Sequence, residues 1–134
     1  MIYTSYFAKL QKIPENIVPI SICGKAPEWY RGLQYKKLAP KYEFFIEWKK
    51  NHDNDYYIEH FNLEVLNKLD INIVLQELNR MSNNKDIVLL CYEKPSDFCH
   101  RHLVANWFNQ NNIKCEEYIA ATQSNDVLDQ IKEE

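Results

Sequence analysis

The chain has 134 residues, a formal net charge of −3, and 46% hydrophobic and 26% charged residues. That balance fits one globular domain able to bury roughly two thirds of the surface its unfolded form exposes. No stretch approaches the ~20 apolar residues of a membrane span, and the net charge gives no global pull toward nucleic acid. The first dozen residues lack the basic start, apolar run and small-residue cleavage site of a secretory leader, so a cytoplasmic protein is expected. Its cysteines, at 23, 91, 99 and 115, are then expected as free thiols rather than disulfides.

In chain order, Ile2–Phe7 is rich in aromatic and β-branched residues and reads as a first strand, followed by a turn or short helix over residues 9–16. Ile17–Cys23 reads as a second strand, with Pro19 forcing its start to be irregular or at an edge. Residues 24–32 read as a long loop carrying Lys25, Pro27, Trp29 and Tyr30, and loops of that length tend to be functional. Tyr42, Phe45 and Ile46 fall at helical spacing after Pro40, predicting a helix over 41–50. Ile58, Phe61, Val65 and Leu69 mark a second helix, and Val74, Leu75, Leu78 and Met81 a third capped by Asp70 or Asn72.

Ile87–Tyr92 is a continuous apolar run of strand length, the pattern of a strand covered on both faces of a parallel sheet, and it is placed at the sheet centre. Beyond Pro95, Ser96 is the expected cap of a helix with Leu103, Val104, Trp107 and Phe108 on one stripe, and residues 113–119 supply a last strand. The expected fold is therefore α/β: a small, mainly parallel sheet of about four strands with helices on its faces, in Rossmann-like or flavodoxin-like layering. One domain is expected over residues 1–121, with 122–134 as a tail or short docked helix.

The segment from Leu90 to Arg101 places two thiols, a carboxylate, an imidazole and a guanidinium at one strand-to-helix junction, the place where open α/β sheets hold ligands. With Ser96 as cap, Cys99 falls in the first helical turn, where the dipole and the neighbouring His100 and Arg101 favour thiolate over thiol. Arg101 offers a planar fork for phosphate or carboxylate, and Glu93 is placed to orient Arg101 or His100 or to act as a base. The competing structural readings are a Glu93–Arg101 salt bridge stapling loop to helix, Cys91 as a small core hydrophobe at the border of the site, and His102 as helix surface or core. A metal site of Cys91, Cys99 and His100 matches no common zinc spacing, so no metal is expected.

The string Cys91-Tyr-Glu93-Lys94-Pro-Ser-Asp-Phe-Cys99-His100-Arg101 resembles the Cys-x-Glu-Lys-(x)4-Cys-His-Arg signature of the family of domains of unknown function numbered 488. The resemblance extends upstream through Gly24-Lys25-x-Pro27, Trp29, Gly32-Leu33 and the Tyr35–Pro40 run, covering most of residues 1–119. It implies a small α/β domain without assigning an activity. Two departures stand out: Ser21-Ile22-Cys23 occupies the place of an Asp-x-Arg, and Thr4-Ser5-Tyr6 that of a Gly-His-Ser run.

Between Lys25 and Lys50, seven Lys or Arg are interleaved with Trp29, Tyr30, Tyr35, Tyr42, Phe44, Phe45 and Trp48. Such a mixture can stack bases and contact phosphates, but Tyr42 and Phe45 also fit a helix core face and the lysines its solvated face. Trp29 and Tyr30 are expected to fold over the crevice lined by Cys99 and Arg101. His52, Asp53, Asp55 and His60 read as solvated surface. The leading expectation is binding of a small anionic ligand, a nucleotide or phosphorylated molecule, by Arg101, Ser96, Lys25, Trp29, Tyr30 and the helix N-terminus. The rivals are a thiol-dependent enzyme, phosphatase-like or sulfur-transferring, with Cys99 as nucleophile and His100 or Glu93 carrying the proton, and a nucleic-acid-binding or adaptor module. The sequence names no cofactor and no oligomeric state.

Overall fold

A computed structural model describes residues 1–119; the expected tail over 122–134 lies outside them. The strands are β1 (Ile2–Tyr6), β2 (Ile17–Ser21), β3 (Leu33–Gln34), β4 (Asp86–Cys91) and β5 (Cys115–Glu117), and the α-helices are α1 (Tyr42–Asn51), α2 (Asn54–Glu64), α3 (Ile71–Met81) and α4 (His100–Gln110). The sheet is parallel throughout, in the order β3-β2-β4-β1-β5. The apolar run Ile87–Cys91 is the central strand, as its composition predicts, and every residue of it is buried.

Five strands stand where about four were expected. The extra one, β3, is two exposed residues pairing with Ile20 and Ser21, too short to leave a period in the sequence. Because β3 stops at Ile20, β2 is locally an edge at Pro19, where a residue without an N–H is tolerated.

The chain moves along the sheet in two directions. The crossings from β3 to β4 and from β4 to β5 run one way and pass through α1–α3 and α4; those from β1 to β2 and β2 to β3 run the other way, through the 3-10 turn Phe7–Lys12 and the loop 22–32. Right-handed crossovers put opposite directions on opposite faces. Accordingly Ile20, Ile87 and Leu89 pack with Phe44, Phe61, Leu78, Val104 and Phe108 of the helices, while Ile17, Val88 and Leu90 pack with Phe7 and Tyr30. β1 and β4 are neighbours whose chains leave in opposite directions, so the crevice of the fold opens beyond Tyr6 and Cys91.

Local chemistry sets the helix ends. The Asp70 carboxylate accepts the Asn72 N–H at 2.9 Å, capping α3 as predicted, and Asp53 accepts the Tyr56 N–H at 3.2 Å at the start of α2. α1 begins after Pro40, but its buried side differs from the prediction. Tyr42 is 73% exposed and Phe44 takes the core position, because the inward stripe is Phe44, Phe45 and Trp48, which meets Tyr57 and Phe98.

The second face depends on one close approach. A Cβ at Gly32 would overlap the Tyr30 phenol, which donates to the Leu33 carbonyl at 2.7 Å. Gly32→Ala is expected to cost about 1–3 kcal/mol by overpacking, and Leu78→Ala, a fully buried α3 side chain, about 2–5 kcal/mol. Urea unfolding measures both.

Candidate functional site: the Cys91–Cys99 pair

β4 ends at Cys91, the chain turns through residues 92–98, and α4 begins at His100 with Cys99 as its N-cap. Cys91 and Cys99 form a disulfide with an S–S distance of 2.04 Å. The expectation of four free thiols therefore fails for this pair: parallel-sheet geometry returns the start of α4 to the end of β4 and brings the two sulfurs together. Cys91 is not merely a core hydrophobe. Cys23 and Cys115 stay free and buried, and burial pushes both thiols up to about 12, with nearby Glu93 charge adding to the shift at Cys23 and Glu117 and Glu116 at Cys115.

Ser96 does not cap the helix. It is exposed in a turn closed by the Asp97 N–H donating to the Lys94 carbonyl at 3.0 Å. Cys99 is extended, with φ −156°, which interrupts any helix running from Ser96. Cys99 thus lies at the mouth of α4 rather than within its first turn, still in front of the free N–H groups and positive dipole end.

His100 is buried and carries the most informative hydrogen bond of the site. Its Nε2 lies 2.7 Å from the Ile22 carbonyl. A carbonyl only accepts, so Nε2 holds the hydrogen and, in the neutral ring, Nδ1 presents a lone pair. That Nδ1 lies 3.7 Å from Cys91 Sγ. Burial pushes the imidazole down to about 4; the Ile22 bond opposes this, and the charges of Arg101 and His102 add to it. On the other side Glu93 Oε2 lies 3.2 Å from Cys91 Sγ. Sγ therefore has a neutral base and a carboxylate beside it.

Arg101 has a different setting from the expected one. It is fully buried. Nε and Nη2 each donate to a Glu117 carboxylate oxygen at 3.1 Å, and Nη1 donates to the Glu93 backbone carbonyl. Its guanidinium also lies 5.6 Å from the Tyr6 ring centroid. Glu117 accepts the Thr4 hydroxyl at 2.8 Å. The side chain of Glu93 is thus not the partner of Arg101; Glu117, sixteen residues on, is. Glu117, Thr4 and the Ile22 carbonyl escape sequence reasoning because only strand pairing brings them here.

Trp29 and Tyr30 form edge-on contacts with Phe7, at 6.1 and 5.3 Å between centroids. Tyr30 is buried in the same cluster as Cys91 and Cys99, whereas Trp29 is 59% exposed. The Lys25 side chain is exposed, and its carbonyl accepts the Tyr92 hydroxyl at 2.7 Å. Of the basic segment, Lys37 is paired with Glu77 at 2.9 Å and Lys49 lies over the Phe45 ring. His60 pairs with Glu64 at 2.6 Å. Among the described residues, the group able to hold a metal ion is Cys91, Cys99 and His100.

Two openings flank the pair. A cleft of about 20 Å³, bounded by Trp48, Tyr57, Phe98 and Glu93, reaches Cys99 and His100, with room for roughly one water. A larger hollow of about 380 Å³ lies beyond β1 and β5, with Lys9 and Lys12 on its wall near Tyr6, Pro95 and Tyr118. It does not touch the sulfurs.

Two outcomes follow from this geometry. Arg101→Ala strands the Glu117 carboxylate and is expected to cost about 3–5 kcal/mol in urea unfolding. The folded His100 value near 4, below the ordinary 6.5, means the unfolded chain binds the extra proton. Stability from this group is full above about pH 6.5 and is lost as pH falls through about 4, roughly 3 kcal/mol in all. Unfolding free energies at about pH 7 and pH 4 are expected to show that loss in the native chain and not in His100→Gln.

A family model described as the active DUF488-N3 subclade, DUF488-N3a, matches residues 5–112, which hold β2 to β4, the Cys91–Cys99 pair and all four α-helices. No curated protein and no solved structure matches the chain. With the match covering most of its length, the chain belongs to the DUF488 family.

Proposed function

We propose that the protein is a thiol-dependent enzyme in which Cys91 and Cys99 cycle between disulfide and dithiol, with Cys99 as the sulfur that meets the substrate. The observation that carries this is the bonded pair lying between the His100 Nδ1 lone pair and the Glu93 carboxylate. The family description names its subclade as active, in accord with a working site.

The surroundings of the two sulfurs are unequal. Once the pair is reduced, Glu93 disfavours a thiolate on Cys91 and accepts its S–H, while Cys99 faces the dipole of α4, which favours thiolate there. Cys99 is also the one of the two on the cleft. In the oxidising direction a substrate thiol gives its proton to His100 Nδ1 or Glu93 as its sulfur attacks Cys99 Sγ, the S–S bond breaks, and Cys91 leaves and takes that proton. A second substrate thiolate attacks the mixed disulfide at the substrate sulfur, expelling Cys99. Two thiols become one disulfide, and the protein takes up two electrons and one proton, the other proton going to solvent. The reverse sequence reduces a substrate disulfide. A sulfane-sulfur transfer would use the same nucleophile, Cys99.

Phosphatase-like chemistry gains no support from Arg101, whose fork faces Glu117. A small anionic ligand is better matched by the hollow bearing Lys9 and Lys12, and this second reading predicts thermal stabilisation by nucleotides or sugar phosphates that Lys9→Glu/Lys12→Glu abolishes. For the thiol enzyme, Cys91→Ser is expected to trap a stable mixed disulfide with a small aromatic disulfide reagent at Cys99, seen as one added mass on that peptide. Cys99→Ser is expected to react at least tenfold more slowly. Equal slow reaction of both variants removes the proposal.

A further inference from the structure

The residues around the two sulfurs are also a donor set. The ligand atoms of Cys91, Cys99 and His100 all lie within 4.8 Å of one another and all three residues are buried. Outside that group of three, the Glu93 carboxylate offers a further donor beside Cys91, 3.2 Å from its Sγ.

We propose that the reduced protein binds Zn²⁺ through Cys91, Cys99, His100 Nδ1 and Glu93, and that oxidation of the two thiolates releases the ion. This rests on the pair being reducible, as the proposed function also requires, but not on any turnover.

Three features of the site support it. A tetrahedral zinc with Zn–S about 2.3 Å and Zn–N or Zn–O about 2.0 Å separates its ligand atoms by roughly 3.3–3.8 Å. The Cys91 Sγ to His100 Nδ1 distance is 3.7 Å and the Cys91 Sγ to Glu93 Oε2 distance is 3.2 Å, so two edges of the tetrahedron are already near length. The Cα atoms of Cys91 and Cys99 are 7.3 Å apart, beyond the usual range of about 4.4–6.8 Å for bridged cysteines, so the backbone leaves room for two separated sulfurs. The Ile22 carbonyl, 2.7 Å from His100 Nε2, is the outer partner that metal-bound histidines have: it fixes the proton on the far nitrogen and aims the lone pair at the metal. The ligand set of two thiolates, one imidazole and one carboxylate suits a borderline-soft ion such as zinc better than magnesium or calcium.

The spacing, with seven residues between the cysteines and none between Cys99 and His100, matches no common zinc pattern because the ligands come from a strand end, a loop and a helix start. Release balances with a low-molecular-weight disulfide as oxidant: the two cysteine thiolates lose two electrons and join, the disulfide becomes two thiolates, and Zn²⁺ leaves.

The test uses the full chain, stripped with chelator, reduced with a phosphine and titrated anaerobically with Co²⁺ as a spectroscopic stand-in. The expected result is a 1:1 endpoint with thiolate-to-cobalt charge-transfer absorption and the strong visible bands of tetrahedral cobalt. Untreated disulfide protein should give neither. Glu93→Gln, at a half-buried loop side chain that leaves the core intact, should weaken binding at least tenfold, and Cys99→Ser should abolish the charge-transfer bands. Thiol counting in denaturant separates the two ideas. If reduction raises the count from two to four and no cobalt bands appear, the metal site is wrong while the thiol chemistry stands. If the count does not rise, both fall. Binding that Glu93→Gln and Cys99→Ser leave unchanged would place the ion elsewhere and overturn the assignment.

Discussion

The carboxyl edge of this sheet is organised by a guanidinium with no access to water. Arg101 ties together the first turn of α4, the carboxylate at the end of β5, the backbone just after β4 and, through Glu117, the Thr4 hydroxyl of β1. Taking such a charge out of water costs several kcal/mol, which a bidentate partner and additional hydrogen bonds offset without a large surplus. A pair of apolar side chains of the same volume would hold the fold as well. What the ion pair adds is position: only one placement of α4 satisfies the planar fork, and that placement sets Cys99 and His100 against the end of β4.

The position matters because the segment between β4 and α4 is irregular. Residues 92–98 form bends and turns rather than a regular element, and they are tied down by the Glu93 carbonyl held by Arg101, the Phe98 ring packed on Tyr57 at 5.0 Å and the Tyr92 ring packed on Phe7 at 5.1 Å. The same carbonyl contact fixes the backbone of Glu93 and leaves its side chain free to reach the Cys91 sulfur. One buried cation therefore holds the loop and, by pairing with Glu117 instead of Glu93, leaves the loop's own carboxylate beside the Cys91 sulfur, at 3.2 Å.

The sheet was legible in the sequence because its signals are local. The unbroken apolar run at 87–91 identifies the central strand, and Asp70 and the stripe through Leu78 identify α3. The start of α4 lies three residues beyond the expected one, with Cys99 rather than Ser96 as N-cap, since a serine ahead of an apolar stripe is a sound cap signal that an extended Cys99 overrides. The site was legible in position and not in pairing. The motif places Glu93, Cys99, His100 and Arg101 at one junction, as found. But a sequence does not show that Cys91 and Cys99 meet, that Arg101 turns to a carboxylate in another strand, or that Ile22 fixes the histidine tautomer. Those contacts span 8, 16 and 78 residues and exist only once the parallel register is set.

The size of the opening narrows what the pair can meet. Cys99 is nearly buried, and the cleft above it admits about one water between the rings of Trp48, Tyr57 and Phe98. For the proposed thiol chemistry, so narrow an approach favours a small thiol or a slender group with sulfur at its end over a folded protein's disulfide. Tyr57 is anchored in the helical core against Phe44 and Phe61, so it is the fixed wall. Phe98 sits on the irregular segment just before Cys99 and packs on Trp48 at 5.5 Å, so the second wall is carried by the chain next to the sulfur itself.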